Sequence, residues 1–329
     1  MIGHAKARRT GTANGPPILG AKGGMTKGWL KAEWQLNGTA IVGTRVQRRP
    51  TIARFHFHRR DKRLMTPASI PQSRWRLGPL LICHILAALI LASWVWPASR
   101  QYWDQLDAAA FHLLNGSLGS SMTWDALWAV ASIRVFDIFV GAVLLTLLIR
   151  KDWLFSEQQL RPALFTFVGL LIVLLVIRVL FTKVATHLGW QHESPSMHFV
   201  NAYHLSDHFP WLERVFEVKD RSRKSFPGDH ASVLLIWGLF MALYARGAKL
   251  AVVSALTLLF MLPRLVAGAH WFSDDFVGGL AIALLALGWG YCTPLGAQIA
   301  ALLQWLARPA FALAKYMPVV RQLAVVRQG

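Results

Sequence analysis

Apolar and polar positions alternate along this chain in blocks rather than singly. Six apolar segments, at approximately 77–97, 127–149, 163–183, 231–247, 249–268 and 275–293, each approach the roughly 20 residues a helix needs to cross a bilayer. The pattern predicts an all-α, polytopic bundle of six transmembrane helices. Polar stretches at 98–126 and 184–230 separate the first segment from the second and the third from the fourth; both are expected to be outer loops, the longer one carrying short helices. The second and third segments hold Arg134, Asp137 and Arg178, charges that are costly in lipid and are therefore expected to face the bundle interior. Trp94, Trp96, Trp124, Trp128, Trp190 and Trp289 fall near segment ends, where indoles favour the membrane interface.

Orientation follows from the cations of the short loops and flanks. With the N-terminus inside, the inner side receives Arg150, Lys151, Arg161, Arg246 and Lys249, and then Arg308, Lys315, Arg321 and Arg327, whereas 98–126 holds only Arg100. The stretch 184–230 departs from this rule with Arg214, Lys219, Arg221, Arg223 and Lys224, which implies an anionic ligand on the outer side.

Composition sharpens this picture. With 54% apolar and only 16% charged residues, the 329-residue chain is too apolar for an ordinary soluble domain. Its formal net charge of +19 comes mostly from residues 1–76, which hold 16 of the 35 Lys and Arg against Glu33 and Asp61 alone. The excess is therefore a basic arm, and nucleic acid is not the expected partner. The arm is predicted to be disordered. Because Met65 directly precedes a signal-anchor-like run, translation is expected to start there, with 1–64 an upstream over-extension. The domains expected are thus the arm 1–76, a core 77–293 and a basic tail 294–329, the tail either lying on the inner surface as an amphipathic helix or solvated. Cys83 and Cys292 fit no metal or redox spacing and read as packing residues.

Two passages at segment boundaries concentrate residues that can do chemistry. In Arg264–Asp274, His270 and Asp274 are four apart and share a helical face, so the carboxylate can fix the imidazole tautomer and leave the other nitrogen as nucleophile or base. Arg264 offers a planar fork for phosphate oxygens. In Ser225–His230, Pro227 and Gly228 suit a turn into a helix start, where free backbone N–H groups favour anions and His230 can protonate a leaving oxygen. Such a set suffices for phosphoryl transfer without a metal. A His/Asp pair also suits half of a metal site, and His187, His192, His198, His204 and His208 crowd one loop. Their spacing is irregular with no cysteine near, so neither a metal nor a cofactor is expected.

On these residues the chain resembles the membrane branch of the type 2 phosphatidic-acid phosphatase superfamily. That family carries a lysine followed by Arg-Pro, then Pro-Ser-Gly-His, then Ser-Arg, five residues, His, three residues and Asp. Arg264, His270 and Asp274 match the third motif in spacing, with Pro263 in place of serine, and Pro227–His230 keeps the proline and histidine of the second. The resemblance implies His270 as nucleophile, Asp274 as its orienter, His230 as general acid and Arg264 as phosphate binder. The first motif is degenerate: Lys183 precedes Gln191–His192–Glu193–Ser194–Pro195 with no arginine, leaving Lys219, Arg221 and Arg223 to compensate. The stretches 219–230 and 268–274, with Leu114–Asn115 and Arg134–Asp137, further resemble the branch that moves phosphate from undecaprenyl diphosphate to the 1-phosphate of lipid A. What this likeness implies is an inner-membrane, multi-pass phosphotransferase with a periplasmic active site and lipid phosphates as its partners. Hydrolysis of undecaprenyl diphosphate, phosphatidic acid or phosphatidylglycerol phosphate stays open as the alternative, as does a non-catalytic scaffold or transporter.

Overall fold

The computed structural model describes residue 70 and residues 73–318 and 322–327; the basic arm and the expected start at Met65 lie outside them. The described chain is all-α, apart from two isolated bridges pairing Ile133 with Val218 and Lys151 with Phe155. Three helices are long and apolar enough to cross a membrane: α1 (Leu77–Val95), α5 (Glu157–His187) and α10 (Ala248–Val266). A fourth candidate joins the helical stretch Asp274–Tyr291 to α12 (Pro294–Ala314) through a bend of 74°. Within that stretch a wide π-helical turn, Asp274–Gly279, leads into α11 (Leu280–Tyr291).

Two expected spans differ from their sequence reading. The second is broken at Ser132–Ile133 into α3 (Met122–Ala131) and α4 (Arg134–Ile149). Neither proline nor glycine marks this break. Its physical reason is that the Ser132 carbonyl, released from the helix, accepts the Arg264 Nη1 (2.6 Å) and the Lys219 backbone N–H (2.9 Å). The fourth is the 14-residue α9 (Asp229–Ala242), about 21 Å long at helical rise. The stretch 98–126, expected to be a loop, is largely α2 (Pro97–Asn115), with α3 following it. The stretch 184–230 does carry short helices: α6 (Pro195–His198), α7 (Leu205–His208) and α8 (Pro210–Phe216).

The 31-residue α5 is the central post, starting at Ser156, whose N–H donates to the Gln159 side chain (3.1 Å). It packs on α4, α9, α11 and α12, and α1 flanks α11. The core between these helices buries Leu160, Leu170, Ile236, Trp237, Phe240 and Met261, and the Trp237 indole donates to the Leu144 carbonyl (3.2 Å) to tie α9 to α4. Trp94 is not an interface indole: it is buried and stacks on Phe226 at 4.5 Å. The described tail holds two helices, α12 lying against α5 and α13 (Ala324–Arg327) following.

Candidate active site

Three backbone events bring the site together. At the end of α10 the chain turns through Gly268 at φ +76°, a left-handed conformation that glycine adopts without strain. A Cβ there would also lie 2.9 Å from the Phe111 ring. At the start of α9, the Gly228 N–H donates to the Asp274 carbonyl (2.9 Å), so the two chemistry-bearing passages are directly bonded. A side chain at Gly228 would come within 2.2 Å of Asp275 Oδ1, so only glycine permits this approach. Finally, the segment 184–230 is laced onto both passages by Ser225 N–H to the His192 carbonyl (2.9 Å) and Ser196 N–H to the Gly268 carbonyl (3.1 Å).

The result is a cavity of about 540 Å³ between α4, α5 and α9. His230 and His270 both line it, as do Arg264 and Lys219. Six Arg or Lys side chains face it against two carboxylates, Asp137 and Asp229, and Val140, Leu144, Val233 and Leu234 form an apolar wall. Asp229 connects the histidines: its Oδ1 accepts the His230 backbone N–H at 2.8 Å and stands 3.7 Å from His270 Nε2.

His270 Nδ1 meets the Ser225 carbonyl at 2.9 Å, closer than the Asp274 carboxylate at 3.5 Å. A carbonyl can only accept, so Nδ1 carries the proton and Nε2 faces the cavity. Burial opposes a charge on this ring. The hydrogen bond the ring donates to Asp274, and then the charges of Asp275, Asp274 and Asp229, overcome it and push the imidazole up to about 9. Asp274 is itself fully buried, its Oδ1 on His192 Nε2 (2.9 Å) and its Oδ2 accepting the Trp271 N–H (2.8 Å). It is thus fixed from two directions besides the histidine it was expected to orient.

His230 Nε2 meets the Phe260 carbonyl at 3.1 Å, which leaves Nδ1 toward Asp137 Oδ1 at 3.6 Å. Arg264, only 5% exposed, spends one N–H on Ser132 and another on Asp137 Oδ2 (2.7 Å). Three of its five N–H groups remain for an anion.

Lys183 and Arg223 are exposed and do not line the cavity. Arg178 lines it instead, paired with Asp229 at 3.1 Å. Asp137 and Arg178 had been marked in the sequence as interior charges, so that signal was available. His192 appears in the sequence reading within the degenerate motif and among the loop histidines, neither of which points to a contact with Asp274. Asp107 gave no signal. It is buried on α2 and accepts both the Ser273 N–H (2.7 Å) and Oγ (2.6 Å), anchoring the turn that carries His270 and Asp274. Of the other loop histidines, His198 packs on Trp271 and His208 stacks on Tyr203. Among the described residues no three His, Cys, Asp or Glu side chains are grouped as a metal site.

A membrane bundle that presents two histidines and an arginine fork to one basic cavity defines an enzyme acting on phosphate esters. The chain belongs to the PAP2 superfamily, whose family model matches residues 170–297. Over 226 residues it is 30% identical to the lipid A 1-diphosphate synthase of Escherichia coli (strain K12), an alignment covering 68% of this chain and 91% of that protein. No solved structure matches.

Proposed function

We propose that this enzyme moves a phosphate from undecaprenyl diphosphate to the 1-phosphate of lipid A at the outer face of the bacterial inner membrane. The chain would cross six times, with both ends inside. The observation that carries this reading is the single cavity in which a cationic rim, two histidines and an apolar wall meet. A lipid diphosphate needs all three: cations for its charge, a nucleophile and acid for the transfer, and a dry surface for its chain. The named activity of the Escherichia coli relative supports the particular donor and acceptor.

In this mechanism His270 Nε2 attacks the terminal phosphorus. The bond from that phosphorus to the bridging oxygen breaks, and its electron pair leaves with the lipid monophosphate, which takes a proton from Nδ1 of His230 in its imidazolium form; Nε2–H stays on the Phe260 carbonyl, and the proton of the acceptor's phosphate restores the imidazolium in the second step. An oxygen of the acceptor's 1-phosphate then attacks the phosphohistidine and releases neutral His270. Arg264, Arg178 and Lys219 hold the phosphoryl oxygens, and Asp274 positions His270. Lys183 and Arg223, outside the cavity lining, are left to attract anionic headgroups on approach. Water in place of the acceptor would give hydrolysis through the same intermediate.

Because Nε2 attacks only when unprotonated and the imidazole is pushed up to about 9, kcat/KM for an activated aryl phosphate, whose leaving group needs no proton from His230, should rise about tenfold per pH unit below that value. Asp274→Asn removes the largest interaction favouring the charged ring, so its rising limb should move to lower pH with a reduced plateau. A pH–rate profile of both proteins between pH 6 and 10 checks this, and a limb that stays in place or moves upward contradicts it.

Product analysis tests the reaction itself. Purified enzyme given labelled undecaprenyl diphosphate should transfer label to lipid A, with transfer requiring lipid A and little free phosphate in its absence. Free phosphate released at an equal rate with or without lipid A would establish a hydrolase and overturn the transfer reading.

A further inference from the structure

A second cluster of cations lies at the opposite end of α5. Arg161 and Arg178 are 17 residues apart on this helix, about 26 Å along its axis, close to the thickness of the hydrocarbon core. Around Arg161 there is a separate cavity of about 330 Å³, formed where α12 crosses α5. Arg161, Arg308 and Lys315 line it together with Phe165, Gln304 and Phe311, and no carboxylate is among its lining residues. The walls are built rather than accidental. The Arg161 guanidinium lies 4.4 Å from the Phe311 ring centroid and donates to the carbonyls of Val325 (2.7 Å) and Val326 (2.9 Å). Phe165 meets Phe311 edge-on at 5.9 Å. Arg308 is exposed and has no partner among the described residues.

We infer that this cavity binds the phosphate headgroup of an anionic glycerophospholipid in the leaflet opposite the active site. Three features select a lipid over a dissolved anion. First, α12 departs by 74° from the helical stretch before it, a geometry that lays a helix along a membrane surface rather than through it. Next, α12 exposes Leu302, Trp305, Leu306 and Leu313, which in a membrane protein contact acyl chains. Finally, the cavity sets the Phe165 and Phe311 rings beside a cluster of cations, the arrangement that recognises a charged headgroup with its chains attached. A bound lipid would staple α12 onto α5, the central post that also carries Arg178.

Native mass spectrometry of the full chain in detergent, titrated with phosphatidylglycerol or with phosphatidylcholine of the same acyl chains, tests the inference. The native protein should retain phosphatidylglycerol preferentially. Arg308→Gln should weaken that retention roughly fivefold, and Arg308→Gln combined with Lys315→Gln about 25-fold, while Arg308→Lys keeps most of it. Should the double variant be unstable, the exposed Arg308 alone carries the test. Equal retention of the two lipids, unchanged phosphatidylglycerol affinity in Arg308→Gln, or displacement of the lipid by millimolar inorganic phosphate would each overturn the proposal.

Discussion

Replacing His270 with alanine is expected to lower phosphate transfer at least about a thousandfold, because no other side chain in the cavity is placed to form the covalent intermediate. His230 is the only other imidazole lining the cavity, and both of its ring nitrogens already face other groups, the Phe260 carbonyl and Asp137. The substitution removes the ring's contact with the Ser225 carbonyl and the cation beside Asp274 and Asp229, and leaves the Gly228–Asp274 and Asp107–Ser273 bonds that hold the turn. The variant should therefore fold, giving an unchanged elution profile and a lowered but still cooperative melting curve in detergent while its turnover falls. Radiolabelled donor turnover in proteoliposomes checks this, and a variant that keeps more than a tenth of native turnover would remove His270 from the mechanism.

The second large effect is expected at Arg264. Alanine there removes the phosphate fork and also strips the Ser132 carbonyl and Asp137 of a buried donor, so turnover should fall by about a hundredfold to a thousandfold and the melting temperature should drop as well. Arg264→Lys keeps the charge but offers a point donor in place of a planar fork. It should recover roughly tenfold of the activity lost in the alanine variant, with a raised KM for the donor. Kinetics of the two variants beside their melting curves separate the roles. Were lysine to restore both rate and stability fully, the planar geometry would be irrelevant and Arg264 would serve only as a charge.

The third motif could be read from the sequence because its chemistry is local. Arg264, His270 and Asp274 lie within eleven residues, and the turn that joins them is short enough for spacing to imply contact. The tether on His270 Nδ1 could not be read, since it is the backbone carbonyl of Ser225, and main-chain groups leave no mark on a side-chain pattern. The same holds for Ser132, whose carbonyl interrupts an apolar run that carries no breaker residue. Lys183 and Arg178 differ for a simpler reason. Five residues turn a helix through about 140° net, so the side chain that satisfied a motif by order points away from the one that faces the cavity. Arg178 and Thr182, four apart, share the cavity face.

Hydropathy treats every polar stretch between apolar blocks as a loop, and that is why α2 was missed. Its polar positions are those of an amphipathic helix, and Asp107 turns inward to hold Ser273. The apolar blocks themselves were legible as helices, and α1, α5 and α10 answer to three of them. Their number as crossings was less so, because a 14-residue α9 and a broken α3–α4 pair fulfil the apolar pattern without its length. Both departures border the cavity: α9 begins with Asp229 and His230, and α4 begins with Arg134 and carries Asp137. Regular spans would have carried these side chains elsewhere.

Everything turns on a phosphoryl group residing on one imidazole. The direct measurement is rapid acid-free quenching of enzyme mixed with undecaprenyl diphosphate labelled at the terminal phosphorus, followed by peptide mapping. The account predicts an alkali-stable, acid-labile phosphate on the peptide containing His270, lost when lipid A is added and absent from His270→Ala. Label transferred to acceptor by an enzyme that never carries it, or label that persists in His270→Ala, would contradict the account.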